Sequence, residues 1–287
     1  MIDLILDSKQ ILEKAIADFK PNAIVMMFSG GDDSLTAYHV AKELGIKIDF
    51  TLHGNTRTGI PETTSFARKE AERLGDNYIE ADARDSYENY VIRKGFFGKG
   101  ISAHTYSYHV LKAEHFRKAV SKHIRQRQRG FKIMFINGAR RKESANRLIT
   151  MKEPTKIMKS MPNDMWVNII NEWDKPDCKD YLEGNGIKRN EVSVNLCRSG
   201  ECMCGTMQSK GDRTEAAYFY PAWGKWLNDL EKKVYEKHGF GWNDNITVIN
   251  PNQLKLDFQP MCTGCKVDYE NNLEVANDIQ VLSRKIK

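Results

Sequence analysis

Ala23-Ile-Val-Met-Met-Phe-Ser-Gly-Gly-Asp-Asp-Ser34 joins a continuous apolar run to a glycine turn. The run Ala23 to Phe28 sits between Pro21-Asn22 and the glycines, as a parallel strand covered on both faces does. After the turn, Ala37, Val40, Ala41 and Leu44 recur at helical spacing, and Gly45 stands where a left-handed cap ends a helix. The segment therefore reads strand, glycine loop, helix. Gly30 and Gly31 permit close backbone approach, the amides opening the helix can receive an oxyanion, and Ser29 and Ser34 add hydroxyls. The loop is neither a Walker A sequence nor a Gly-x-Gly-x-x-Gly turn. Two adjacent carboxylates repel a phosphate unless a cation intervenes, which makes Asp33, with Asp32 beside it, a candidate Mg²⁺ ligand if the substrate is ATP.

Working outward, Leu12, Ala15, Ile16 and Phe19 predict a lead-in helix over Ser8 to Lys20. Downstream, Ile46, Ile48, Phe50 and Leu52 alternate with polar neighbours and predict a second strand, parallel to the first because a helix joins them. Pro61 opens a further helix that stops at Gly75, a third strand lies near Tyr78 to Ala81, and Phe131 to Ile136 reads as a fourth. Strands alternating with helices predict an α/β fold with a doubly wound, mostly parallel sheet. Ligands bind such sheets beyond the carboxyl ends of the strands, so the loops after Phe28, His53 and Ile136 are expected to meet in one crevice. A boundary is expected near residue 190, between this α/β domain (1–190) and a cysteine-rich C-terminal region (191–287).

The longest apolar run is far short of the ~18 residues needed for a transmembrane helix, and the first residues carry acids where a secretory signal carries lysines; the expectation is a cytoplasmic protein. Net charge is +6, too mild to establish a nucleic-acid partner, but the basic residues are unevenly placed. From Lys112 to Lys132 they form a basic stripe against one acid, Glu114, which reads either as a solvated helix face or as a contact for the phosphates of a substrate or polynucleotide. The tryptophans are expected in the core, and the glycines of Gly95-Phe-Phe-Gly-Lys-Gly100 suggest a lid over the crevice.

Ser-Gly-Gly-x-Asp-Ser resembles the pyrophosphate (PP) loop of the adenine nucleotide α-hydrolases. Two further motifs narrow the resemblance to the phosphoadenosine phosphosulfate (PAPS) reductase family. His53-Gly-Asn-Thr-Arg-Thr-Gly-Ile-Pro-Glu-Thr63 follows the second strand, and Gly138-Ala-Arg-Arg-Lys-Glu-Ser-Ala-Asn-Arg147 follows the fourth. Trp173 to Ile187 is similar to a later family segment, with Cys178 at a core position, so the resemblance runs from Ala23 to Ile187. It implies an adenine nucleotide, ATP or PAPS or adenylylsulfate (APS), held by Ser29, Gly30, Gly31, Asp32, Ser34, His53, Thr56, Gly59, Glu62, Thr63, Gly138 and Arg141, with Asp33 and Arg140 at the reacting end. A guanidinium at a strand's carboxyl end suits Arg140 to clamp phosphate or sulfate, whereas Arg147 has Glu143 at i,i+4 spacing as an alternative partner.

Cys197, Cys202 and Cys204, with Cys262-Thr-Gly-Cys265 much later, group five thiols into two glycine-containing turns. In a chain read as cytoplasmic this grouping points to a metal, either a [4Fe–4S] cluster or Zn²⁺, or to buried or redox-active thiols. Five candidates exceed four places. If Cys202, Cys204, Cys262 and Cys265 bind the metal, Cys197 is left as a sulfur-carrying nucleophile. Sulfonucleotide reductases carry their thiolate on a Glu-Cys-Gly-Leu-His tail, which is absent from Gln280 to Lys287, so reductase chemistry is set beside two alternatives. One is an ATP pyrophosphatase and sulfurtransferase that modifies nucleic acid. The other is a nucleotide-binding sensor without turnover.

Overall fold

The computed structural model describes residues 1–126 and 128–244. Helix α1 (Ile2–Phe19) leads into β1 (Ala23–Met27), the glycine loop and α2 (Asp32–Glu43). Then come β2 (Phe50–Asn55), α3 (Pro61–Arg73), β3 (Asn77–Asp82) and α4 (Ser86–Lys94). The basic stripe lies on a run of α-helix interrupted by π-helical turns, with α5 (Ile101–Tyr108) and α6 (Glu114–Ala119) as its regular parts. β4 (Ile133–Asn137) returns to the sheet, followed by α7 (Ala145–Thr150) and a hairpin of β5 (Thr155–Met158) and β6 (Met161–Asn168). Helices α8 (Lys175–Gly184), α9 (Glu191–Leu196), α10 (Lys210–Phe219) and α11 (Pro221–His238) complete the described chain.

The six strands lie in the order β3-β2-β1-β4-β6-β5, parallel except for the edge strand β5. From β1 the chain builds outward to β2 and β3, then crosses to β4 on the other side of β1. The order therefore reverses between β1 and β4, where the loops leaving the two strands part and open a crevice. Leu12, Phe19, Val40, Ile136 and Trp173 pack on one face of the sheet, and Ala119, Val120 and Ile124 pack on Val25, Ile133 and Phe135 on the other. A third cluster joins Ile60, Tyr87, Phe96, Phe97 and Leu111 to Val192, Leu196, Trp223, Leu227 and Trp242, so residues on both sides of position 190 share one core.

Three details differ from the sequence reading. β2 begins at Phe50 rather than Ile46, because residues 46–49 finish the turn out of α2: Ile46 N donates to Ala41 O at 3.0 Å, and Asp49 Oδ2 accepts from Ile24 N at 2.9 Å. Ile48 is buried but serves this connection, not the strand. The β5–β6 hairpin carries Lys156, Asn163 and Asp164 and so lacks apolar alternation; Asp164 is buried only because Arg125 pairs with it. The Gly95 to Gly100 loop is no lid, since Phe96 and Phe97 are 4% exposed and fixed in the third cluster.

Candidate active site

The crevice at the reversal has a volume of about 580 Å³ and is lined by the glycine loop, the segment after β4, the Cys197–Glu201 loop and one face of the π-interrupted helix. Gly31, with extended backbone, precedes α2, and no side chain caps that helix. The first amides of α2, at Asp32, Asp33 and Ser34, thus have no partner from within the helix and none from a capping side chain. Ser34 shapes the turn: its hydroxyl donates to Gly31 O at 3.0 Å, accepts from Ser29 N at 3.3 Å and lies 3.0 Å from Ser29 Oγ. Gly30 adopts φ +78°, and Asn190 Nδ2 donates to its carbonyl at 2.9 Å. Across the crevice, a Cβ on Gly138 would stand 2.5 Å from the Asp33 carbonyl carbon, so glycine is what lets β4's loop approach α2.

Charged groups around the crevice are matched in pairs. Arg140, almost fully buried, places Nη2 3.0 Å from Asp33 Oδ2 and Nε 3.0 Å from Oδ1, although Nε makes no hydrogen bond. Burial pulls the Arg140 pKa down, but the Asp33 carboxylate more than offsets it. Asp32 accepts from Arg189 Nη2 at 2.6 Å and Nε at 3.1 Å, and from Ser193 Oγ at 3.2 Å. Arg147 pairs with Glu143, whose carboxyl is raised chiefly by burial. Lys112 Nζ donates to Glu201 Oε2 at 2.9 Å; burial opposes its charge, and the Glu201 carboxylate outweighs burial.

The second motif holds a neighbouring loop in place. His53, wholly buried, joins the Phe28 carbonyl at 2.8 Å to the Thr64 hydroxyl at 3.1 Å, and burial lowers its pKa. Thr56 Oγ1 donates to Glu201 O at 2.8 Å, Thr63 Oγ1 to Ser199 O at 2.6 Å, and Ile60 N to Gly200 O at 2.8 Å. A Cβ on Gly59 would lie 2.3 Å from Glu201 O. These residues form a socket for the Ser199–Met203 loop, while Glu62 is exposed and Arg141 pairs with Glu172. Of the expected nucleotide-binding residues, Ser29, Gly31, Asp32, Ser34 and Gly138 line the crevice with Asp33 and Arg140, whereas Gly30, His53, Thr56, Gly59, Glu62, Thr63 and Arg141 do not. Lys112, Ser193, Ser199 and Glu201 line it as well; only the basic stripe and the cysteine spacing had marked their neighbourhoods.

Cys197 caps α9 with φ +52°, is exposed and lines the crevice. Cys202 and Cys204 turn away from it. Thr58 Oγ1 donates to Cys202 Sγ at 3.7 Å, and Cys204 Sγ lies 3.3 Å from Thr206 Oγ1. The proximity of the two thiols pushes Cys202 above its ordinary range and holds Cys204 below it, with burial adding to the first shift and opposing the second. Cys204 Sγ also donates to Ser107 Oγ at 3.7 Å, so both thiols are set among hydroxyls. Cys262 and Cys265 lie outside the described residues, and among the described residues no cluster of three or more His, Cys, Asp or Glu is placed to hold a metal. Cys178 is buried in the core, as expected. The basic stripe divides: Lys112 enters the crevice, Arg125 pairs with Asp164, and Lys132 Nζ donates to Phe19 O at 3.1 Å. No helix among the described residues is long and apolar enough to cross a membrane.

A parallel sheet that reverses beside an uncapped, glycine-led helix N-terminus is a doubly wound α/β fold with an anion-receptive loop at its switch point. The chain belongs to the phosphoadenosine phosphosulfate reductase domain family, whose model matches residues 23–206. Among solved structures it is similar to PAPS reductase from Candida auris in a phosphate complex, at 17% identity over 65% of this chain and 83% of that one, TM-score 0.47. FMN adenylyltransferase from Candida glabrata, with FMN and an ATP analogue, aligns at 15% identity over 67% of this chain, TM-score 0.48; the alignment spans only 60% of that enzyme. NMN synthetase from Francisella tularensis shares the fold over 89% of this chain and 98% of its own, at 12% identity and TM-score 0.50. No curated protein sequence matches the chain.

Proposed function

We propose that this protein is an enzyme that binds an adenine nucleotide, ATP or PAPS/APS, and acts on its phosphate or sulfate end in sulfur metabolism or sulfur transfer. The observation that carries the reading is the uncapped N-terminus of α2, framed by Ser29 and Ser34 and facing Arg140 across the crevice. Aligned amides at a helix start favour an anion through both hydrogen bonds and the helix dipole. Arg140, anchored by Asp33, is the guanidinium placed to grip an equatorial oxygen. Asp33, at the start of α2, is the carboxylate that would share a Mg²⁺ with a triphosphate; a bound Mg²⁺ would supply charge neutralisation at the leaving pyrophosphate.

Cys197, exposed at the crevice, would be its nucleophile: attack of the thiolate on the sulfur of a bound sulfonucleotide would form an S–S bond and break the S–O bond, releasing the nucleotide 5′-phosphate. Cys202 and Cys204 would provide two ligands of a [4Fe–4S] cluster or Zn²⁺ completed by Cys262 and Cys265, held against the crevice wall by the Thr56–Thr63 socket. In this arrangement the 1–190 region supplies the nucleotide loop and the 191–287 region supplies the thiols.

Incubation with Mg²⁺ and ATP, and separately with PAPS or APS and a thiol donor, tests the reading. Pyrophosphate release identifies pyrophosphatase chemistry, and sulfite release identifies reductase chemistry. Binding without either product, across all three nucleotides, contradicts an enzyme and leaves a sensor. Asp33→Ala is expected to abolish turnover with an unchanged far-UV circular dichroism spectrum; undiminished turnover removes Asp33 from the mechanism.

A further inference from the structure

The helical run that walls one side of the crevice also carries a second opening. Tyr108, Lys112 and Phe116 line the crevice from successive turns. At the next residue begins a shallow groove of about 770 Å³, lined by Glu114, Arg117, Lys118, Ser121, Lys122 and Gln126, all of them polar and exposed. The apolar residues of the same run, Leu111, Ala119, Val120 and Ile124, are buried. Three cations therefore meet one carboxylate in the groove. That carboxylate, Glu114, accepts from Lys118 Nζ at 2.6 Å in a pair more than half exposed, where water screens the attraction. Arg117 Nε donates to the Ala113 carbonyl at 3.3 Å, and among the described residues neither Arg117 nor Lys122 has an ion-pair partner. Lys112 and Lys122 both fall in π-helical turns, which are rare and recur where a helix is shaped for function.

We infer that this helix face binds a single-stranded polynucleotide, with its phosphates on Arg117, Lys118 and Lys122 and one base against Tyr108 and Phe116 at the crevice mouth. Cations spaced along a helix neutralise successive backbone phosphates, and aromatic side chains take bases with little regard to sequence. The groove and the crevice share no lining residue, so a mononucleotide held at the start of α2 leaves the groove unused. A membrane surface is a poor match, because no large apolar side chain among residues 109–126 is exposed to enter it. A duplex brings the same charge but keeps its bases in the stack, so the aromatic end of the path gains nothing from it. The surface stands on the groove and its charges; that the strand is brought to the crevice as a substrate rests on the nucleotide reading given above.

Fluorescence anisotropy on the full chain, without added nucleotide, tests it with four labelled probes: a single-stranded RNA oligonucleotide, the same sequence as DNA, the DNA duplex, and polyglutamate. Binding of either single strand supports the surface, and a preference between them identifies the sugar it reads. With three phosphates neutralised, single-strand affinity is expected to fall about twentyfold between about 50 and 200 mM salt. The triple variant Arg117→Gln, Lys118→Gln, Lys122→Gln is expected to bind the strand about tenfold or more weakly at the lower salt, to lose most of the salt dependence, and to bind magnesium-chelated ATP as wild type does. Tyr108→Ala should weaken single-strand binding about fivefold or more and narrow its advantage over the duplex. No binding of either single strand overturns the inference, as does a triple variant with wild-type affinity, or a duplex or polyglutamate bound as tightly as the strand. Should the triple variant fail to fold, the wild-type salt series and the polyglutamate comparison decide. Strand binding by a protein that binds neither ATP nor a sulfonucleotide removes the nucleotide reading and leaves the surface, whereas nucleotide binding without strand binding removes the surface alone.

Discussion

Gly138 shows how one missing side chain sets the crevice. Its Cα faces the backbone of Asp33 and Ser34 so closely that a Cβ would meet three main-chain atoms at 2.5–2.6 Å. Backbone cannot swing aside as a side chain can, so Gly138→Ala is expected to lose ~1–3 kcal/mol in urea denaturation and to weaken pyrophosphate binding. Wild-type stability and affinity in this variant would show that the two loops do not need that approach. His53 and Glu70 supply a pH signature. Burial depresses His53 below 6.5, so the unfolded imidazole takes up a proton first, and stability falls as pH drops below that value. Burial pushes the Glu70 carboxyl up, but hydrogen bonds from Arg73 and His39 prevail and bring it to about 2 from 4.5. Its contribution is complete above pH 4.5 and is lost between 4.5 and about 2. Denaturation across this range should show both slopes, and His53→Gln should erase only the first. At this scale the sequence marked Arg140 and Asp33 individually, but their ion pair spans 107 positions and no local pattern encodes it.

The His53–Thr63 segment acts as an element, a socket whose hydroxyls and amides hold the loop from Ser199 to Met203. Thr56→Val and Thr63→Val each remove a donor to a carbonyl of that loop, and each is expected to cost about 1 kcal/mol. Hydrogen exchange should quicken at residues 199–203 in both variants and stay unchanged in α1. Unaltered exchange in the loop would assign its order to the Trp223 and Trp242 packing instead. The strands β1 and β4 and the helices α2 and α3 were legible because burial on both faces and helical periodicity leave plain patterns. The β5–β6 hairpin was not, since its strands carry polar residues without apolar alternation and Asp164 finds its partner in Arg125 through the fold. The socket escaped for the same reason: its threonines bond to carbonyls about 140 residues downstream, so their role has no local trace.

Across the whole molecule, strand order brings the β1 and β4 loops together, and the third core cluster sets the cysteine loop against them. Thiol accessibility follows from this arrangement. In native protein, alkylation followed by peptide mapping should modify Cys197 before Cys178 and Cys204, and equal rates for the three would mean that the cysteine loop is not packed as described. The crevice was foreseeable from the doubly wound pattern; its wall of Lys112 and Glu201 was not, because these groups meet only when the π-interrupted helix crosses the loop before Cys202. Anion binding by the start of α2 is the claim on which all the chemistry depends. Amide ¹⁵N–¹H spectra recorded during titration with inorganic pyrophosphate in excess Mg²⁺ report on it at the atoms concerned. Saturable shifts at Gly31, Asp32, Asp33, Ser34 and Gly138 are expected, and a titration that leaves these resonances in place would contradict it.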